Sequence, residues 1–443
     1  MLTAITFSNF KSYKDARLPL APLTVLIGAN ASGKSNAIEA MRMLAWLAQG
    51  QKLSAIPYAV QNMDRVVRCR VEDLAYCRED SFSLGCETDL SEWNSLTMTI
   101  TRRGDGLYIS KETLTGPNST VPLYKIEVQS STERKTDVNV AYNNFAPGGK
   151  KPQIKCSNQM AIFPQLTSPA SFNDIHKQSQ KEIPLITRKY EQWLAAMLFL
   201  DPVPAKMREY AFPSEKRLQG DGSNLSGVLF NLWGGTDKLA NQNSYKICRK
   251  QILEFIQCLP EQDISSLDFL KEPRGGVMVQ LTETFGGECR SYDASLLSDG
   301  TLRVLAIAAA MLSAEKGSLV VIEEIDNGVH PSRAGHLLER IRDIAKRRGL
   351  RVLLSTHNPA LLDTLPDSAI PDVVFCYRAP VDGASRLVRL EEVPDYPELI
   401  AQGSLGYLAT SGTLDRFVKQ HRSGKERKKL ALAWLDNLRT GGG

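Results

Sequence analysis

No apolar run in this chain of 443 residues comes near the ~20 residues that a membrane-spanning helix needs. The stretch from Met41 to Ala48 is apolar but short, and it carries Arg42, so it reads as a buried helix. The N-terminus has no charged leader followed by an apolar core and a small-residue cleavage site. Together these absences predict a cytoplasmic protein with no membrane partner. Paired cysteines are missing too. The eight cysteines (Cys69, Cys77, Cys86, Cys156, Cys248, Cys258, Cys289 and Cys376) never form a C-x-x-C pair. That argues against a zinc site or a disulfide framework and for reduced thiols that pack as small hydrophobes. No heptad pattern is sustained, so a long coiled coil is not expected, and no repeat of fixed period occurs. A global charge field is lacking as well. The net charge is +5, and seven basic residues against Glu426 alone between Arg416 and Lys429 leave the rest of the chain at −1. Any attraction for polyanions is confined to that tail or to patches that folding creates.

What is present is an ordinary globular composition, 42% hydrophobic and 23% charged, long enough for two or three domains or one large interrupted one. Within it, Gly28-Ala29-Asn30-Ala31-Ser32-Gly33-Lys34-Ser35 fits the phosphate-loop pattern G-x-x-x-x-G-K-[ST]. The apolar run Leu23–Ile27 precedes it and a helix-like run from Asn36 follows. That setting is what the loop requires, because backbone N–H groups and the positive end of a helix dipole then converge on one anion. Asn30, Ser32, Gly33, Lys34, Ser35 and Asn36 are therefore candidate nucleotide-binding residues. Lys34 would reach the β- and γ-phosphates, and the Ser35 hydroxyl would hold Mg²⁺.

The pattern along the chain predicts strands at 2–7, 15–20 and 23–27, then a helix to about residue 48. Further strands are expected at 81–88, 95–101, 107–110 and 123–128. Residues 131–158 are polar, contain Gly148-Gly149-Lys150-Lys151-Pro152, and read as a mobile loop. Helices are expected over 183–200, from Asn224 to Trp233, and from about 237 to 259. From residue 267 a β/α alternation returns, with strands at 276–281, 318–322, 351–354 and 372–377 and helices at 300–313 and 333–346. This is the alternation of a doubly wound α/β sheet. It implies an N-terminal half of the site in residues 1–130, an insertion of polar loop and helices over 131–265, a C-terminal half over 266–392, and a basic helical tail over 393–443.

The C-terminal half carries the remaining chemistry. Ser318–Ile322 is an apolar strand that delivers Glu323 and Glu324 at the sheet edge where ligands sit. Glu323 would orient Mg²⁺ through water, and Glu324 would polarise the attacking water as general base. Leu297-Ser298-Asp299-Gly300-Thr301 opens an apolar helix, with Ser298 or Asp299 as a natural N-cap. A second helix N-terminus of this kind makes sense as the cap on a neighbouring molecule's nucleotide. His357 follows the apolar strand ending at Leu354, so its Nε2 could touch the γ-phosphate.

This set of motifs resembles the ABC-type ATPase heads of structural-maintenance-of-chromosomes, double-strand-break-repair and RecF proteins. Leu297–Thr301 resembles their L-S-G-G-Q signature, Glu323-Glu324 their Walker B pair, Asp326–His330 their D-loop, His357 their switch histidine, and Asn9-Phe10-Lys11-Ser12 their opening N-F-[KR]-[ST]. Asp299 and Thr301 replace the first signature glycine and the glutamine, and Glu323 stands where many ATPases carry Asp. The Q-loop glutamine is open between Gln129 and Gln165. Gly28–Asn36, Phe199–Pro202, Asp221–Leu225 and Glu323–Pro331 together resemble compact bacterial ATPases related to the overcoming-lysogenization-defect proteins. Those recur in anti-phage systems such as Septu, PARIS and certain retrons, beside a nuclease or toxin gene. The resemblance implies an α/β P-loop ATPase head with a β-rich lobe and a helical insertion, using ATP and Mg²⁺. It implies a homodimer or higher even homo-oligomer in which Leu297, Ser298 and Gly300 act in trans, with Glu324, His357 and Lys34 catalytic. It also implies a separate nuclease or toxin effector, with DNA or a phage component as a further partner. RecF-like genome maintenance and a nucleotide-dependent scaffold with negligible turnover are the alternative functions. The interleaved basic and apolar residues from Leu414 to Leu438 read equally as a hairpin packed on the head or as a contact for a partner or nucleic acid.

Overall fold

A computed structural model describes residues 1–56, 66–104, 106–127, 136–235, 242–256, 263–326 and 331–419. Its centre is a six-stranded sheet in the order β10-β14-β15-β3-β16-β17. The strands are β3 (Thr24–Ile27), β10 (Leu198–Leu200), β14 (Leu319–Ile322), β15 (Arg351–Ser355), β16 (Val373–Arg378) and β17 (Ser385–Arg389). All pair in parallel except β17, which turns back on β16. β3 thus lies between two strands that follow it by more than 300 residues, and the two halves of the chain close into one sheet.

The parallel strands are apolar without interruption because both their faces are covered. Alternate residues enter two cores. Val25, Ile27, Val320, Ile322, Val352 and Leu354 face one, and Leu26, Leu319, Val321 and Leu353 face the other. The second core also takes helix α1 (Lys34–Ala48) and an eight-stranded antiparallel sheet. That sheet runs β2-β1-β4-β5-β6-β7-β8-β9, with β1 Leu2–Phe10, β2 Tyr13–Pro19, β4 Ser81–Thr88, β5 Ser95–Arg103, β6 Gly106–Thr115, β7 Tyr124–Ile126, β8 Asp137–Tyr142 and β9 Gln153–Ser157. Helix α2 (Lys177–Ala195) packs against α1. The first core lies under α3 (Leu225–Trp233), α4 (Gln242–Ile256), α5 (Asp299–Ser313) and α6 (Pro331–Arg348). It also takes a three-stranded antiparallel sheet of β11 (Ile264–Lys271), β12 (Val277–Phe285) and β13 (Glu288–Asp293). Short helices over 396–400, 405–410 and 413–419 follow the central sheet.

Three expectations need correction. The mobile loop over 131–158 holds β8 and β9, which complete the large sheet. The strand signal was hidden because the outward positions are Asp137, Asn139, Gln153 and Lys155, and Gly148-Gly149 belongs to the connection between the two strands. The helix over 183–200 stops at Ala195, and Leu198–Leu200 crosses to become the parallel edge strand β10 beside β14. Three apolar residues are too few for periodicity to tell helix from strand. The strand at 276–281 belongs to the separate three-stranded sheet, not to the doubly wound one. Of the basic tail, only the part to Lys419 falls within the described residues; the rest lies outside them. Among the described residues no helix is long and apolar enough to cross a membrane.

Candidate functional site

Three adjacent parallel strands end at one place. β3 runs into the glycine loop, β14 into Glu323 and Glu324, and β15 into Ser355, Thr356 and His357. A cavity of about 380 Å³ opens there, lined by residues 30–36, Ile38, both glutamates and residues 355–357. Ligands of open α/β sheets sit at this carboxyl edge. Asn30, Ser32, Gly33, Lys34, Ser35, Asn36, Glu323, Glu324 and His357, all proposed from sequence, are thus brought together.

The loop has the backbone its glycines allow. Gly28 has φ +147° and Gly33 φ +124°, while Ala31 takes the left-handed region at φ +62°. A Cβ on Gly28 would meet the Cys376 carbonyl oxygen at 2.2 Å, and one on Gly33 would meet Ser385 Oγ at 2.5 Å. The loop is therefore seated tightly on β16 and β17. Gly33 caps α1 with no side-chain bond to its first N–H groups, and the first turn holds no acidic residue. Those groups face the cavity with the helix dipole behind them. The Ser32 hydroxyl is buried without a hydrogen-bond partner among the described residues. Lys34 Nζ donates to the carbonyls of Gly28 at 2.6 Å and Ala29 at 3.1 Å. Burial pushes the Lys34 ammonium below its usual range, a cost that a bound anion would offset. An orphaned hydroxyl, open helix N–H groups and a half-buried ammonium fit a phosphate chain.

The acidic side is held from behind. Arg42, on α1, bonds Glu323 Oε1 through Nη2 at 2.5 Å, and its guanidinium stacks on the Phe199 ring at 5.0 Å. Glu324 sits at φ +48°, an uncommon conformation for a side chain of its size that costs of order 1 kcal/mol and clusters at functional sites. Its N–H donates to Ser355 Oγ at 3.1 Å. His357 Nδ1 lies 3.8 Å from Asp326 Oδ2, and Asp326 Oδ1 is buried with no hydrogen-bond partner among the described residues. Of the expected D-loop, residues 327–330 lie outside the described residues.

Leu297, Ser298 and Gly300 do not line this cavity. They sit at the N-terminus of α5, where Ser298 is exposed and its Oγ accepts the Thr301 N–H at 3.1 Å. Arg208 bonds the Leu297 carbonyl and the Asp299 carboxylate. Gln165 is spent on the local turn, bonding Ser157, Met160 and Ala161; Gln129 lies outside the described residues. Sequence reasoning passed over Arg42, Ser355 and Thr356 as site residues. It also passed over the floor formed by Tyr13, Cys376 and Ser385, although Val381-Asp382-Gly383 between two apolar runs is a hairpin signal that could have placed β17.

Two family models match the chain. One, described as an AAA ATPase domain, covers residues 1–191. The other, described as "AAA domain, putative AbiEii toxin, Type IV TA system", covers residues 160–363. No curated protein matches. Among solved structures the chain is similar to an SMC head bound to the C-winged-helix domain of ScpA, at 12% identity, 87% of this chain, 96% of that one and TM-score 0.46. It is also similar to the SMC head domain from Thermotoga maritima, at 11% identity, 88% and 98% coverage and TM-score 0.36. A third is an SMC head with an extended coiled coil bound to the C-terminal domain of ScpA, derived from Pyrococcus furiosus, at 12% identity, 90% and 99% coverage and TM-score 0.42.

Proposed function

Because AAA ATPase family models match residues 1–191 and 160–363, we propose that the chain is an ATP-driven dimerisation switch that controls a separate toxic effector in anti-phage defence. The observation that carries the reading is the convergence of the phosphate loop, both glutamates and His357 on one cavity. The loop N–H groups and Lys34 bind the phosphate chain, with Lys34 exchanging its two loop carbonyls for phosphate oxygens. Ser35 and Glu323 would hold Mg²⁺, which when bound neutralises charge on the transferred phosphoryl group. Glu324 accepts the proton of the attacking water, and its strained backbone fixes where that carboxylate can reach. His357 contacts the γ-phosphate while Asp326 steadies its other ring nitrogen.

The signature residues lie outside the cavity; Ser298 is exposed and Gly300 half-buried, while Leu297 anchors the turn in the core. In this reading a second copy brings its Ser298 and Gly300 over the γ-phosphate, and hydrolysis reopens the pair. The toxin–antitoxin wording of the matched family supports a place in a toxin system; a separate effector with nuclease or toxin activity is the further step of this reading. The test is ATPase turnover and light scattering. Glu324→Gln should lower turnover by about 10²-fold or more and accumulate an ATP-bound dimer. Lys34→Ala should bind no nucleotide and stay apart. Equal turnover in Glu324→Gln and the natural protein would overturn the assignment. Co-purification with the product of a neighbouring gene tests the effector.

A further inference from the structure

Ser385 opens β17 and is fully buried, 353 residues from the loop serine it touches. Its backbone N–H donates to the Ser12 carbonyl at 2.7 Å, joining the central sheet to the turn between β1 and β2. Its hydroxyl has three polar neighbours. The Ser32 carbonyl lies at 2.6 Å, Ser12 Oγ at 2.8 Å, and Arg378 Nη1 donates to it from 3.4 Å. A serine hydroxyl has one proton, and a carbonyl can only accept. The shortest contact therefore takes the proton, and Ser385 holds the Ser32 carbonyl on the floor of the loop. Tyr13 does the same for the next residue, its hydroxyl donating to the Gly33 carbonyl at 3.2 Å. Ser12 in turn accepts from Asn36 Nδ2 at 2.7 Å, so the cluster reaches the first turn of α1.

The consequence follows from peptide planarity. The Ser32 carbonyl and the Gly33 N–H share one plane and point in opposite directions. Tying the carbonyl down onto Ser385 turns the Gly33 N–H up, away from the floor. Were that plane to rotate, a carbonyl oxygen would face the phosphate chain in place of a donor. The fit is close enough that a Cβ on Gly33 would meet Ser385 Oγ at 2.5 Å and Tyr13 OH at 2.9 Å.

We propose that Ser385 is a positioning residue of the phosphate loop, aiming the Gly33 N–H at bound nucleotide from the C-terminal hairpin β16–β17. This rests on the nucleotide reading of the cavity. Loop geometry then depends on that hairpin staying docked on the β1–β2 turn through the Ser385 and Ser12 backbones.

The test is equilibrium binding of Mg-ATP and ADP, with thermal unfolding alongside. Ser385→Ala should weaken both ligands about fivefold to tenfold, the loss expected for one buried neutral hydrogen bond, and raise KM more than it lowers kcat. Ser179 provides the control for mere destabilisation. It is equally buried and donates to the Asn143 carbonyl at 2.9 Å, so Ser179→Ala should lower the melting temperature with no effect on binding. Ser385→Cys keeps the volume with a weaker donor and should fall between Ala and the natural residue, also where Ala does not fold. If both Ser385 variants bind like the natural protein while Lys34→Ala binds nothing, the proposal is overturned and the nucleotide reading stands. If Lys34→Ala also binds normally, the reading of the cavity fails and takes the proposal with it.

Discussion

Two helices of this head begin beside a glycine, and their first turns are finished in opposite ways. α1 starts after Gly33 with no side chain on its N–H groups and no acidic residue in its first turn. α5 starts after Ser298, whose hydroxyl already accepts the Thr301 N–H, and Asp299 adds a negative charge paired with Arg208. A helix N-terminus left open has to be satisfied by something else, and at α1 the proposed nucleotide would supply it. α5 satisfies itself. In the proposed dimer it would meet a bound phosphate only after assembly, and it carries a carboxylate, paired with Arg208, that such a phosphate would otherwise repel. The difference teaches that two helix starts beside a glycine are not equivalent receivers of an anion.

The most drastic way to break the comparison is to close α1. Gly33→Ala places a Cβ at φ +124° against Ser385 Oγ and Tyr13 OH. Nucleotide affinity should fall more than ~100-fold, with a stability loss on the order of 1–3 kcal/mol from the strained backbone. Isothermal calorimetry and urea unfolding read the two effects separately. Affinity within threefold of the natural protein would mean that the loop does not hold the phosphates.

At the other helix the effects should be smaller and should spare nucleotide binding by the single chain. Arg208→Ala leaves the Asp299 carboxylate without its guanidinium, so ATP-dependent dimerisation of the Glu324→Gln protein should weaken about fivefold. Asp299→Gly restores the glycine of the family signature and should strengthen it by a similar factor. These magnitudes follow from partly exposed charges in a high-dielectric setting. Sedimentation with ATP checks both variants; changes in the same direction, or none, would place the dimer interface elsewhere.

The sequence displays the first helix far better than its support. Residues 28–36 and 318–324 are each contiguous, and each needs one local geometry, so loop and strand are legible without a partner. The floor of the loop is built from residues 12, 13, 32, 376 and 385, and no window of the chain contains them together. Arg42 as the counter-charge of Glu323 is invisible for the same reason, with 281 residues between them. The edge strands were lost to a different cause. β10 is three residues long, and β8 and β9 turn polar side chains to one face, so composition pointed to loops. Topology also placed the 277–285 strand in a sheet of its own, which alternation cannot distinguish from the next strand of a doubly wound sheet.

A third helix start completes the comparison, with a consequence for stability alone. The short helix Ile162–Gln165 is capped by neither ligand nor its own hydroxyl but by a fully buried carboxylate from β6. Glu112 accepts the Ile162 N–H at 2.7 Å, the Phe163 N–H at 2.9 Å and the Tyr124 hydroxyl at 2.7 Å. Burial outweighs these three donors and pushes its pKa up to about 7. The unfolded chain releases that proton near the ordinary value of about 4.3. Between those two pH values the folded state holds a proton that the unfolded state lacks, so stability falls as pH rises through the window and levels off above it. The whole effect is on the order of 4 kcal/mol at most. Melting curves at pH 5, 6, 7 and 8 should show the natural protein losing stability relative to Glu112→Gln up to about pH 7, with the gap constant beyond. Parallel curves across the range would mean that Glu112 keeps its charge in the core, and that three donors are enough to hold an anion at an internal helix start, as the nucleotide reading requires of α1 at the surface.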